Sequence, residues 1–371
     1  FNRIADQKRP KTTLETAGQL AASAASSVYA AGAFLNRFLH DAGLKQRTAL
    51  PAVVLSVGNI TVGGTGKTPF CLWLMEFLKE ESRQCALISR GYGRDDEDEL
   101  IVVHDGRRLR ATTREAGDEP VMLARALGDV PVIACADRHK AGTYALKKFS
   151  VDTIVLDDAF QHHALHRQGD IVLVDSTKRL SSLRLLPRGT LRESPSVLSR
   201  AHLIVLTRWN QSKCRNAVLR EVRNVAPSVP VVRANVEITS AVELSSRSAI
   251  PMEDLAGKTA FLMCAVANPD SVKASVASAG LKVIGSKILP DHDRLTKEQL
   301  LKLDSVRRRA GADFLVVTEK DAVKLAELGN LPPQIIALRA RMRMVSEADE
   351  TRAHSAIKSR LHVKTLRGYL R

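Results

Sequence analysis

The chain has 371 residues, 44% of them hydrophobic and 26% charged, a globular balance that excludes a mainly disordered, collagenous or coiled-coil architecture and fits one large or two domains. Lysine and arginine number 56 against 40 acidic residues, a net charge of +16, which favours polyanions: phosphorylated ligands, anionic lipid surfaces or nucleic acid. Aromatics are only 4%, which argues against a binder that stacks single-stranded bases on aromatic platforms.

Residues 1–12 are polar and basic. Residues 14–44 follow, with Leu20, Ala24, Val28, Ala31, Phe34, Leu35 and Phe38 at helical spacing and no charge between Glu15 and Arg37. Ala, Ser and Gly dominate, so the stretch reads as an interfacial helix, with Arg37, Lys45 and Arg47 available for anionic headgroups, or as a plain packing helix on the body. The chain begins with Phe1 rather than Met, which leaves room for preceding residues, and no targeting peptide is visible in it.

From residue 51 short apolar runs alternate with helix-length segments. The runs lie at 53–57, 85–89, 131–134, 153–156, 170–174 and 202–207, and they predict a doubly wound, mainly parallel α/β sheet. A helix is expected over 68–81. The polar stretch 237–258 is a candidate boundary, and runs at 260–266, 282–284 and 314–318 predict a second, smaller α/β unit. The division expected is 1–50 for the basic tail and helix, 51–240 for the nucleotide-binding unit, and 241–371 for the smaller unit. Cys71, Cys85, Cys135, Cys214 and Cys264 form no CxxC pair. Neither a zinc knuckle nor a disulfide framework is indicated, and a reducing compartment is expected.

The strongest local signal is Thr61-Val62-Gly63-Gly64-Thr65-Gly66-Lys67-Thr68, directly after a buried strand and before a helix. Backbone N–H groups at such a turn wrap a phosphate chain, and the helix N-terminus adds positive potential. Lys67 is expected on the β/γ-phosphates and the Thr68 hydroxyl on Mg²⁺. Thr61 stands where the usual pattern has its first glycine, so the loop is a variant one. A second metal anchor is needed at the end of a neighbouring strand, and Asp157-Asp158 after the run 153–156 supplies it.

Other segments are open from the residues alone. Ser89-Arg90-Gly91-Tyr92-Gly93-Arg94 could present arginine forks to phosphate oxygens or be a solvated basic turn. The acids of Gly117-Asp118-Glu119-Pro120 read first as helix caps. His292, between Asp291 and Asp293, is either a structural histidine or one held for proton transfer. Thr318-Glu319-Lys320-Asp321 could touch ligand or cap the next helix.

Taken together, these segments resemble the tetraacyldisaccharide 4′-kinase family of lipid A biosynthesis. The resemblance rests on residues 56–69, 89–93, 117–120, Asp157-Asp158-Ala159-Phe160-Gln161-His162, 186–193, 290–292 and 318–324, collinear over about residues 51 to 325. Ala159, Asp293 and Cys264-Ala265-Val266-Ala267-Asn268-Pro269 depart from the family pattern. The resemblance implies a P-loop fold and ATP with Mg²⁺ as cofactors. It implies Asp118 and His292 as a catalytic dyad alongside Lys67, and Glu119, Asp157 and Asp158 with Thr68 at the metal. Arg90, Tyr92, Arg94, Gln161 and His162 would lie near the lipid A disaccharide precursor. It further implies work at a membrane surface, on the cytoplasmic face of the inner membrane as a peripheral or monotopic protein, or in mitochondria for a plant protein. No obligate protein partner is evident. A variant P-loop ATPase switch acting on a protein partner is the main rival. Nucleic-acid binding, suggested by charge alone, has no recognition motif and is not expected.

Overall fold

The computed structural model describes residues 42–94, 96–266, 269–290 and 293–362, with positions 25, 26, 31, 32, 35 and 38–40 before them. Those earlier positions are helical; the rest of the helix expected over 14–44 lies outside the described residues. Among the described residues no helix is long and apolar enough to cross a membrane.

Among the described residues the architecture is one 13-stranded mixed sheet clad by helices. Its first half contains β1 (Val53–Asn59), β2 (Cys85–Ser89), β3 (Ile101–Asp105), β4 (Pro131–Ala134), β5 (Thr153–Asp157), β6 (Gly169–Asp175) and β7 (Leu203–Thr207). The second contains β8 (Val231–Glu243), β9 (Ala249–Ile250), β10 (Thr259–Cys264), β11 (Lys282–Ile288), β12 (Phe314–Thr318) and β13 (Ile335–Met344). The order is β11-β10-β12-β13-β8-β7-β6-β1-β5-β2-β4-β3, with β9 beside β8. The expected parallel core is present: β1 pairs in parallel with both β5 and β6. Val53, Leu55 and Val57 feed one hydrophobic cluster while Ala52 and Val54 feed another, so the run, Ser56 apart, is apolar because both faces are covered.

Among the described residues from 42 onward, the α-helices longer than one turn are α1 (Lys67–Glu80), α2 (Asp118–Leu127), α3 (Arg138–Lys148), α4 (Arg215–Val225), α5 (Pro269–Ser278), α6 (Lys297–Arg309), α7 (Glu319–Leu325) and α8 (Glu347–Leu361). Helix α8 returns to the first half, where Ala353, Ile357 and Leu361 join the cluster under α1. The His354 ring stacks on Phe77 of α1 at 4.3 Å between centroids.

Four strands have no counterpart among the predicted runs: β3, β8, β13 and the two-residue β9. The stretch expected to be a soft boundary from residue 237 continues instead as β8 to Glu243. This long strand pairs in parallel with β7 at its start and antiparallel with β13 along most of its length. It joins the two halves into one sheet.

Candidate phosphate and metal site

The glycine turn between β1 and α1 lies at the carboxyl end of the central strand, where open parallel sheets bind ligands. Gly66 is the residue before α1 and has φ +89°. A side chain there would be strained and would crowd Met342. The turn is held from three sides. The Asn59 amide donates to the Thr65 hydroxyl at 2.9 Å. The Thr207 hydroxyl, at the end of β7, donates to the Thr65 carbonyl at 2.8 Å. The Arg208 guanidinium donates to the Gly64 carbonyl at 2.6 Å and pairs with Asp175. The start of the loop is tied to residues 190–192, through Val62 N–H to the Thr190 carbonyl and Arg192 N–H to the Ile60 carbonyl, both 2.8 Å.

The acids stand at the end of β5, beside this turn. Asp158 has φ +50°, a left-handed conformation that Asp tolerates better than most residues. Its carboxylate lies 3.5 Å from Lys67 Nζ and 3.0 Å from Arg192 Nη1. Burial would raise its pKa, but the charges and hydrogen bonds of Lys67 and Arg192 outweigh that and hold it below the ordinary value. Asp157 is buried and accepts from Ser89 Oγ at 3.2 Å. Burial first, then the neighbouring charges of Glu119 and Asp158, push its pKa up to about 7. Arg138 lines the same wall at the start of α3, with its own pKa drawn down to about 10 by burial. Burial, followed by the charges of Arg138 and Arg167, lowers His162 to about 4, so its ring is neutral at pH 7.

A cavity of about 900 Å³ gathers these groups. Its lining includes loop residues Val62, Gly63, Gly64, Thr65, Gly66, Lys67 and Thr68 with Glu119, Asp157 and Asp158. Arg90, Tyr92, Gln161 and His162 line it as well. The cavity then runs into the second half of the sheet, against apolar residues such as Val236, Leu262 and Val316.

Three expected site residues lie elsewhere. Thr61 is not a lining residue and bridges to Leu191. Arg94 is buried, and its guanidinium donates to the Glu97 and Glu99 carbonyls of its own loop. Asp118 is 4% exposed at the start of α2, behind the lining, with Arg294 at 3.6 Å and Lys324 at 3.7 Å. His292 is outside the described residues. Arg138, Arg192, Thr207 and Arg208 carry no role in the sequence-based expectations. Thr207 closes, and Arg208 follows, an apolar run of the kind that ends at a ligand edge, which is the signal that points to them.

Mg²⁺ suits this donor set. The Thr68 hydroxyl and the Glu119, Asp157 and Asp158 carboxylates all belong to residues lining the cavity and are hard oxygen donors. Among the described residues no group of three His, Cys, Asp or Glu side chains is placed to hold a metal ion by itself. Mg²⁺ commonly binds through one or two carboxylates and completes its shell with phosphate and water.

Known proteins resemble this chain over most of its length. The sequence model of the tetraacyldisaccharide-1-P 4′-kinase family matches residues 19–362. The tetraacyldisaccharide 4′-kinase of Geobacter metallireducens is 38% identical over 297 residues, covering 80% of this chain and 86% of its own. That of Halothermothrix orenii is 36% identical over 306 residues, 79% of each chain. The crystal structure of Aquifex aeolicus LpxK in complex with ATP superposes with a TM-score of 0.74 at 28% identity, covering 93% of this chain and 99% of that one. Collinear similarity over nearly the whole length, with the glycine turn and both acids in the matched span, leads to one conclusion: the chain belongs to the tetraacyldisaccharide 4′-kinase family.

Proposed function

We propose that the protein transfers the γ-phosphoryl group of ATP to the 4′-hydroxyl of a tetraacyldisaccharide 1-phosphate, a step of lipid A biosynthesis. The observation that carries this reading is a single cavity lined by the glycine turn, Lys67, the Asp157–Asp158 pair and Glu119, in a chain of this family.

Loop N–H groups and Lys67 take up the charge of the triphosphate. Mg²⁺, held through Thr68 and the Asp157, Asp158 and Glu119 carboxylates, supplies neutralisation of the phosphate oxygens when bound. Asp158 is already oriented by Lys67 and Arg192. Arg90, Tyr92, Gln161 and His162, which line the same cavity, are the groups for the acceptor sugar, and His162, neutral at pH 7, contributes hydrogen bonds without charge. Asp118, assisted by His292, accepts the proton of the 4′-hydroxyl as the new P–O bond forms and ADP leaves. Phosphoryl transfer depends chiefly on alignment and charge, and a general base adds about 10²–10⁴-fold in rate.

The acceptor's acyl chains remain in a bilayer, so the enzyme works at a membrane surface, on the cytoplasmic face of the inner membrane in a bacterium. In support, Leu35 is 54% and Leu44 71% exposed near the N-terminal helical positions, and the net charge is +16. Incubation with [γ-³²P]ATP and the lipid precursor, followed by lipid chromatography, tests the activity. A labelled lipid that co-migrates with the 4′-phosphorylated product is expected. ATP hydrolysis with no labelled lipid would instead favour the switch reading.

A further inference from the structure

Asp118 stands where the two halves of the sheet meet. The helix that it opens, α2, belongs to the first half, and α7, packed beside it, belongs to the second. The contact is fastened nearby by Glu327, whose carboxylate accepts from Thr113 N–H at 2.6 Å and from the Thr113 hydroxyl at 2.7 Å. Two cations from the second half then reach the Asp118 carboxylate, one at each oxygen. Arg294 Nη2 is 3.6 Å from Oδ1 and also donates to the Thr113 carbonyl at 2.9 Å. Lys324 Nζ is 3.7 Å from Oδ2.

Lys324 is the more constrained of the two. Its side chain is 7% exposed, against 45% for Arg294. Its ammonium donates to the Asp293 carbonyl at 2.8 Å and pairs with Asp321 Oδ1 at 3.2 Å. Asp321 is itself fixed, because its Oδ2 accepts from the Thr318 hydroxyl and from Ala265 N–H. A buried lysine is costly unless fully paired, and a lysine needed only to hold α7 would be satisfied by Asp321 and a carbonyl. This one also faces the carboxylate of the other half, and its carbonyl contact is to the residue next to His292.

We propose that Lys324 is a positioning residue for the transfer reaction: it links the Asp118 carboxylate to the 293–294 backbone, so that the acid is correctly aimed only when the second half of the sheet is docked on α2. The inference rests on the assignment of Asp118 to the acceptor hydroxyl.

Steady-state kinetics of the full chain, with ATP and the lipid precursor in detergent micelles, test both. Asp118→Asn comes first, and wild-type kcat in that variant would sink the Asp118 assignment itself. Given a loss there, Lys324→Gln is expected to lower kcat about 100-fold with the ATP KM unchanged, the scale of a misplaced catalytic group. Lys324→Arg should recover about tenfold of that loss by restoring the charge. In the Asp118→Asn background, Lys324→Gln should cost less than about threefold, since groups that act as a unit are not additive. An equal loss in both backgrounds, or wild-type kcat in Lys324→Gln, overturns the proposal. If Lys324→Gln fails to fold, the same two-background comparison is made with Lys324→Arg, read by the same criterion.

Discussion

The Lys67 ammonium lies 3.5 Å from the Asp158 carboxylate, and Arg192 reaches the same carboxylate at 3.0 Å from the other side. The Asp158 carboxylate is thus held between two cations, one of them the lysine of the glycine turn that we propose for the phosphates. Removing the lysine removes a cation placed for the developing phosphate charge. Lys67→Ala should keep the fold, measured by circular dichroism, and lose at least about 100-fold in kcat in the labelled-ATP assay. Retention of wild-type turnover would remove Lys67 from the mechanism.

Arg208 braces the loop from the cavity wall. Its guanidinium ties the Gly64 carbonyl to Asp175 and is only 9% exposed. Arg208→Ala should therefore loosen the turn before nucleotide arrives. The expected result is an ATP KM raised about tenfold, the value of one charge-assisted hydrogen bond, with a smaller change in KM for the lipid. Equal changes in both KM values would point to a general loss of fold.

These residues show where sequence reading succeeds and where it stops. The glycine turn and Asp157–Asp158 are contiguous signals, each closing an apolar run that is buried on both faces, so their strand-end position was legible. Strand β13 was not, because Arg339, Arg341 and Arg343 alternate with Ala340, Met342 and Met344 along a face that is partly exposed. Its antiparallel partner β8 carries Arg233, Asn235 and Glu237 in the same way. Arg208 and Lys324 were not legible as site residues either. Their partners, Gly64 and Asp118, are brought to them by sheet order and docking of the two halves, and no local spacing encodes that.

The buried acid predicts an unusual pH dependence. Burial and the charges of Glu119 and Asp158 raise Asp157 to about 7 in the folded chain, against an ordinary value near 4 once unfolded. The sign follows from linkage: the folded state holds this proton more tightly, so the contribution of Asp157 to stability is complete below pH ~4 and is lost as pH rises to about 7. Without ligand, the Tm of wild type relative to Asp157→Asn should fall across that interval and level off above it. Mg²⁺ with ATP should shrink the difference at pH 8 by favouring the carboxylate. His162, lowered to about 4 by burial, contributes the opposite slope, with stability lost as pH falls from about 6.5 towards 4. His162→Gln should remove that acid-side slope alone.

Packing beneath the acids sets how far they can move. Gly58, near the end of β1, faces Phe160, which follows the acid pair and is fully buried. A Cβ on Gly58 would lie 2.6 Å from the Phe160 Cβ and 2.9 Å from its backbone nitrogen. Backbone cannot yield as a flexible side chain can, so Gly58→Ala must push residues 158–160 away from the glycine turn. Overpacking of this kind costs about 1–3 kcal/mol, read as a lowered Tm. The displacement should also separate Asp158 from Lys67 and Arg192, so kcat should drop even at temperatures where the variant is fully folded. Phe160→Leu leaves the Cβ and backbone nitrogen in place and should not rescue the double variant. A Gly58→Ala variant with native Tm and native kcat would show that the acid segment has slack, and that its position is set by the cations above it, not by the strand below.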